Sequence, residues 1–341
     1  MSSVKKIAEL AGVSVGTVDR VLNNRKWVAK ETEERVRAAI KKLNYKPNIF
    51  ARNLKLTKTF TFGALLPQEQ QDNRFWEIPV KGINKAQKEL ESQKVKVKYF
   101  HYDRTSEDNF LEFAYPLLNK KLDGLLIAPL LSRQIEKFIK KIPSSLPYVF
   151  IDSKIDESDY LTYIGQDHYK SGIVSGKLMK LLLPEGGMVA IINTVPRYYL
   201  VEERTRAFFD FFKNESKYNL RIYHLDSKEE EKGYDDLLDM IILKNKNFKG
   251  LYLPGGSVVR CAKYIHKHTL KEKIHIVGYD LTPEITHYLK NDTIDFLISP
   301  KIENQAYQGI YALYRHCVLQ EPVPKEIMMP IDIIIKENLD E

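Results

Sequence analysis

From about residue 60 onward the chain alternates short apolar runs of strand length with segments patterned as helices, and this alternation restricts the fold more than any other feature. The runs are FGALLP (62–67), VKVKYF (95–100), GLLIAP (124–129), YVFID (148–152), MVAIIN (188–193), LRIYHL (220–225), GLYLPG (250–255), IHIVGYD (274–280) and IDFLIS (294–299). Helical patterns lie between them, among others at 83–90, 132–141, 170–183, 203–213 and 258–268. Strict alternation of strand and helix implies parallel sheets wrapped by helices, with ligands held outside the carboxyl ends of the strands. Some ten strands are too many for one open sheet, so two lobes with a cleft between them are expected. The closing segment MMPIDIII is expected to return to the second lobe.

The first sixty residues have a different character. They hold 14 Lys and Arg against 5 Asp and Glu, a balance of +9, whereas the whole chain is +8, so the remaining 281 residues sum to −1. Within this cationic segment the run AELAGVSVGTVDRV (8–21) reads as two short helices joined by a glycine turn. Gly12 supplies the left-handed geometry that ends the first helix, and Ser14 caps the second. A third helix is expected from about residue 30 to residue 43, with Val36, Ala39, Ile40 and Leu43 as its buried stripe. A cationic helix-turn-helix is the footprint of a DNA reader, because clustered cations beside phosphates gain affinity by releasing counterions.

Composition excludes several alternatives. The opening MSSVKKIAELAG has no apolar segment of signal-peptide length, and no run of 18 apolar residues occurs, so neither export nor membrane insertion is expected and the cytoplasm follows. Cys261 and Cys317 stand far apart without metal-ligand spacing and are read as free buried thiols, while His266 and His268, two apart, fall on different helix faces. There is no GxGxxG, phosphate loop or nucleophile elbow, so no catalytic residue, cofactor or metal is expected.

The segments IAELAGVS, TVDRVLN, VAKETEERV, LNYKPN and ARNL, at fixed mutual distance over residues 6–54, resemble the IAELAGVS, TVSRVLN, VSEETRERV, LGYRPN and ARSL segments of the LacI/GalR (lactose-repressor) family of bacterial transcription regulators. The resemblance continues more loosely along the rest of the chain. It implies an α/β architecture in which a three-helix helix-turn-helix head (1–47) and a hinge helix with linker (48–58) precede a two-lobed periplasmic-binding-protein type 1 fold (59–341). Lobe 1 would take about 60–164 and 300–326, and lobe 2 about 165–298 and 328–341. Val15 and Gly16 would then discriminate bases, and Arg20 would reach a guanine edge, where its fork matches O6 and N7 together. Thr17 and Asn23 match phosphate-contacting positions, with Ser14 and Lys5 beside them, and such contacts set register without carrying sequence information. Leu54, flanked by Ala51 and Arg52, would be the minor-groove wedge of a dimer. Asp19 and Ala29 depart from the family's serines.

For the cleft, Phe75 and Trp76 fall where the family places aromatics against a sugar ring. Asp152, Asp167 and Asp280 end or follow apolar runs, and acceptors there suit hydroxyl-rich ligands. Arg204, in ERTRAF, matches the arginine of the family's RLxGF motif, although Ala207 stands for its glycine. Gly255 and Gly256 replace a common Asn-Asp, and Pro300 replaces a frequent glutamine, with Gln305 nearby. Tyr198 and Tyr199 are candidate substitutes. The whole reads as a homodimeric repressor of carbohydrate-use genes that binds a palindromic double-stranded operator and is released by a sugar-like effector, with no membrane partner. The alternative is a regulator whose ligand or partner strengthens operator binding.

Overall fold

The structure, a computed structural model, describes residues 4–22, 28–43, 58–195, 198–226 and 231–339. The chain divides into two units, Met1–Thr57 and Lys58–Glu341.

In the first unit α1 (Val4–Ala11), α2 (Val15–Leu22) and α3 (Lys30–Lys42) close around Ile7, Ala8, Ala11, Val18, Val21, Val36 and Ala39. Gly12 has φ +64. Its N–H bonds the Glu9 carbonyl while the Val13 N–H reaches back to Ala8, the paired bonds by which a left-handed glycine satisfies the last carbonyls of a helix. Ser14 Oγ accepts the Thr17 N–H at 3.1 Å and so caps α2. Ala29 offers α3 no side-chain cap, and Glu31 and Glu33 in its first turn complement the positive end of the helix dipole instead. Asn23 and all but the last residue of the expected hinge and linker (48–58), with Ala51, Arg52 and Leu54, lie outside the described residues.

The second unit contains two six-stranded sheets. Their strands, in chain order, are β1 (Phe60–Pro67), β2 (Val95–Tyr102), β3 (Gly124–Ile127), β4 (Tyr148–Ile151), β5 (Thr162–Gly165), β6 (Gly187–Val195), β7 (Tyr218–Asp226), β8 (Phe248–Leu253), β9 (His275–Tyr279), β10 (Phe296–Ser299), β11 (Glu326–Met328) and β12 (Asp332–Ile334). The first sheet runs β11-β5-β4-β3-β1-β2 and the second β12-β10-β9-β8-β6-β7. Central strands such as β3, β4 and β5 are buried along their whole length, as helices on both faces require, while the edge strands β2 and β7 alternate. Helices α4 (Glu77–Glu89), α5 (Glu107–Ala114), α6 (Ser132–Ile139) and α12 (Ile302–Tyr314) belong with the first sheet. Helices α7 (His168–Leu182), α8 (Tyr199–Phe212), α9 (Glu231–Lys244), α10 (Val258–Lys267) and α11 (Pro283–Lys290) belong with the second. No helix among the described residues is long and apolar enough to cross a membrane.

Two features differ from the reading of the sequence. MMPIDIII is not one strand: β11 ends in the first sheet at Met328, and β12 starts in the second at Asp332. β12 pairs antiparallel with β10, so the second sheet is not purely parallel. The reason is directional. β10 runs toward the cleft, whereas β12 enters its lobe from the cleft side and must run the other way.

The chain passes between the sheets three times, after β5, after β10 and after β11. One side chain ties the three passages together: Gln166 Nε2 donates to the carbonyls of Ser299 and Pro330, both at 2.7 Å. In the second lobe α7 and α8 meet at Gly172, where a Cβ would fall 2.3 Å from the Arg204 carbonyl oxygen and 2.7 Å from Ala207 Cβ. Gly172→Ala should therefore force α8 outward and cost about 1–3 kcal/mol of stability. Urea unfolding checks this: the midpoint falls with an unchanged slope, and an unaltered midpoint would show that the helices yield freely.

Candidate functional site

In the amino-terminal unit the start of α2 is open to solvent. Lys5, Ser14, Val15, Gly16 and Arg20 are exposed and Thr17 is half-buried, while Val18 and Val21 point into the core. A period of 3.6 separates these sets, so one face of α2 anchors the helix and the other presents an apolar side chain, a bare backbone and a guanidinium.

Between the two sheets lies a cavity of about 70 Å³ lined by residues from both lobes. Asp152 follows the last residue of β4, and Asp280 follows the last residue of β9. Each donates its N–H to the adjacent strand, Asp152 to Ile164 and Asp280 to Ile298, and then turns left-handed, with φ 68 and 76. Asp tolerates that conformation better than most residues. The turn lifts each carboxyl off its strand and into the cavity, one from each lobe. Neither carboxylate makes an ion pair or hydrogen bond with a described residue.

Arg204, on α8, is 2% exposed. Its guanidinium lies 3.8 Å over the Tyr279 ring and donates to the Pro254 carbonyl at 2.9 Å, leaving Nε without a partner. On the other lobe Asp72, Asn73 and Arg74 form a turn with three consecutive positive φ values of 55, 54 and 63. Such backbone persists only where its surroundings fix it, and here the Asp72 carboxylate does so. It accepts from Trp76 Nε1 at 2.8 Å and pairs with Arg104 Nη2 at 2.5 Å. Arg104 in turn donates through Nη1 to the Tyr198 hydroxyl at 2.6 Å, a direct bond across the cleft. Phe75 and Trp76 meet edge to face at 5.1 Å and wall the same cavity, which Thr194, Gly255, Gly256 and Thr282 also line, together with aliphatic side chains such as Val201 and Val258.

Six of the expected cleft residues thus converge: Phe75, Trp76, Asp152, Tyr198, Arg204 and Asp280. Asp167 does not. Its carboxylate accepts the Lys170 N–H at 2.8 Å and caps α7 from an exposed position, because four N–H groups at a helix start compete for an acid placed there. Gln305 also stays off the cavity wall. Its Oε1 accepts the Asp152 N–H at 2.7 Å and its Nε2 donates to the Pro300 carbonyl at 2.6 Å, so both ends of the amide serve to hold Asp152 in place. Tyr199 is exposed and faces the His168 ring outside the cavity. The sequence reading missed Asp72 and Arg104. The Asp-Asn pair at 72–73 is the available signal, since those two residue types favour left-handed turns.

Burial sets the ionisation of the cavity. It pushes the Asp152 carboxyl up to about 6 and the Asp280 carboxyl up to about 7, against the opposing pull of Arg204 and with the help of Asp72. Burial also drives the His168 imidazole down to about 3, with Arg204 adding to the effect, so this ring is neutral. An acid that resists ionisation binds its proton more tightly in the folded chain than in the unfolded one. The contribution of these two acids to stability therefore falls as the pH rises from about 4 to about 7, their penalty being absent below about 4, while the neutral His168 contributes in the opposite sense as the pH rises from about 3 to about 6.5. Asp280→Asn removes one such acid. Its thermal midpoint should exceed the parent's at about pH 8, with the two converging near pH 4; a variant that is less stable at the higher pH would contradict the burial argument.

Comparison with known proteins supports both units. Residues 3–48 match the family model described as bacterial regulatory proteins, lacI family, and residues 63–321 match that of the periplasmic binding protein domain. The ribose operon repressor of Lactococcus lactis subsp. lactis is 24% identical over 349 residues, covering 99% of this chain and 98% of the repressor. The HTH-type transcriptional regulator RegA of Clostridium saccharobutylicum is 30% identical over 254 residues, 73% of each chain. Among solved structures, a putative LacI transcriptional regulator from Bacteroides fragilis superposes with a TM-score of 0.78 at 24% identity, covering 82% of this chain and 98% of that one. With this helix-turn-helix head ahead of a two-lobed, periplasmic-binding-protein-like domain, the chain belongs to the LacI family of bacterial transcription regulators.

Proposed function

We propose that the chain binds a palindromic operator as a homodimer and represses carbohydrate-use genes, and that a sugar-like molecule held between the lobes relieves the repression. The observation that carries this reading is the joining of a cationic lacI-family head to a cleft with two unpaired carboxylates, an arginine and an aromatic wall. The full-length similarity to a ribose operon repressor supports a sugar as the ligand class. In this reading the head occupies about 1–47, the hinge 48–58 and the effector domain 59–341.

The roles follow from the chemistry. Val15, Gly16 and Arg20 read base edges, with Gly16 allowing close backbone approach. Lys5, Ser14, Thr17 and Asn23 contact phosphate, and Leu54, beside Ala51 and Arg52, wedges the central base step. In the cleft Phe75 and Trp76 stack on the apolar face of a sugar ring, Asp152 and Asp280 accept from hydroxyls, and Arg204 Nε donates to an oxygen. A cavity of about 70 Å³ is far below the ~300–1,000 Å³ of common ligand sites, so the ligand enters by parting the lobes. Repression changes only if the ligand favours one lobe arrangement over the other.

Fluorescence anisotropy of a labelled operator, titrated with full-length protein with and without candidate sugars, tests the sign. Relief of repression predicts operator affinity weakened by about 5–150-fold, the usual span of allosteric coupling. Strengthened binding would favour the co-repressor alternative. Within the head, Arg20→Ala should relax base choice at one half-site position at a cost of about 1–3 kcal/mol. Lys5→Ala should weaken all sequences alike and reduce the salt slope by about 1. Uniform weakening by both would remove Arg20 as a reader.

A further inference from the structure

We propose that the molecule recognised in the cleft carries a protonated amine, as an amino sugar or amino polyol does, rather than being a neutral or acidic sugar. The proposal rests on the reading of the cleft as an effector site and concerns what that site selects.

Among the described residues the cavity is lined by three carboxyl groups, Asp72, Asp152 and Asp280, and two guanidinium groups, Arg104 and Arg204. Asp72 and Arg104 neutralise each other at 2.5 Å, and the rest of that arginine's reach goes to Tyr198. Arg204 then stands alone against two acids. It forms an ion pair with neither, because its guanidinium is held flat on the Tyr279 ring and turned to the Pro254 carbonyl. The set carries one acid in excess when ionised, in a site where burying an uncompensated charge is costly.

A neutral sugar leaves one acid either uncompensated or holding its proton, and a uronic acid deepens the excess. An ammonium group removes it. The unused side-chain atoms point the same way: the carboxylates of Asp152 and Asp280 are acceptors, and an ammonium brings three donors and no acceptor. The two acids come from opposite lobes, so one ammonium between them ties the lobes together and contributes to closure. Arg204 Nε remains as a donor for a ring or hydroxyl oxygen, and Phe75 and Trp76 remain as the wall for the carbon skeleton.

Isothermal titration of the full-length protein with D-glucose, D-galactose, D-glucosamine, D-galactosamine and D-glucuronate, at a pH where the amines are protonated, tests this. We expect each amino sugar to bind about tenfold or more tightly than its neutral parent, the factor that one charge-assisted hydrogen bond supplies, with glucuronate the weakest. Asp280→Asn, which keeps the shape of the side chain and removes the charge, should shrink the preference to about twofold or less. A neutral parent that binds as tightly as its amino counterpart overturns the charge assignment and leaves the effector reading standing. So does a preference that survives Asp280→Asn. If no member binds and operator affinity responds to none, the proposal falls together with the effector reading.

Discussion

The cleft depends on a single buried amide. Three strands of chain cross between the lobes, and Gln166, on the first crossing, donates both hydrogens of its Nε2 to carbonyls of the other two. Ser299 is the last residue of β10 and Pro330 lies between β11 and β12, so both carbonyls stand where a sheet ladder ends or is absent and need a partner where water is scarce. Gln166 satisfies two of them at once and gathers the crossings to one place. Because each sheet ends near those crossings, the carboxyl edges of both sheets are brought face to face. A parallel strand can place a side chain over a ligand only from that edge, so gathering the crossings also creates the site.

The same wiring extends to the chemistry. Gln305 joins the second crossing, at the Pro300 carbonyl, to the backbone N–H of Asp152. A change in the crossings thus moves the carboxylate that a ligand would meet. On the other lobe Arg204 sits on a helix whose approach to its neighbour is limited by Gly172, where nothing larger than hydrogen fits. The left-handed turn at 72–74 is fixed by Asp72, which also orients Arg104. Positions on the cavity wall are therefore set partly by residues that do not line it, Gln305 and Gly172, and partly by Asp72 on the wall itself, and their precision comes from hydrogen bonds and close helix contact rather than from the strands alone.

This division explains what was legible in the sequence. Strands buried on both faces read as continuous apolar runs and the edge strands β2 and β7 as alternating ones, so nine of the twelve strands show in the sequence text. β5, with Thr162 and Gly165 at its ends, does not have that composition, and β11 and β12 are too short and too close to Pro330 to separate by pattern. In the head the left-handed glycine and the serine cap are local devices, and local devices are what sequence carries best. Asp152 and Asp280 could be placed because each ends an apolar run. Asp167 looked the same and serves another purpose, since whether a strand-end acid faces a cleft or caps a helix depends on where the next helix starts. Arg104 follows an edge strand with no flanking signal, and its partners, Asp72 and Tyr198, are distant in sequence. No periodicity encodes a contact of that kind.

The bond from Arg104 to Tyr198 has a further bearing on regulation. It is a protein-to-protein contact across the cleft, so part of the free energy of closure belongs to the chain itself. A ligand then contributes only what it adds beyond that contact, namely interactions that bridge Asp152 on one lobe and Asp280 or Arg204 on the other. A molecule that touches one lobe alone would bind without shifting the balance, however tightly it bound. The two carboxylates are well placed for bridging because they are symmetric in origin, each the first residue beyond a central strand and each turned left-handed by its own backbone. Affinity and switching can therefore be separated at the level of residues. On the proposed reading, the aromatic wall of Phe75 and Trp76 lies on one lobe and would add affinity, and the paired acids span both lobes and would add the difference between open and closed that a regulator needs.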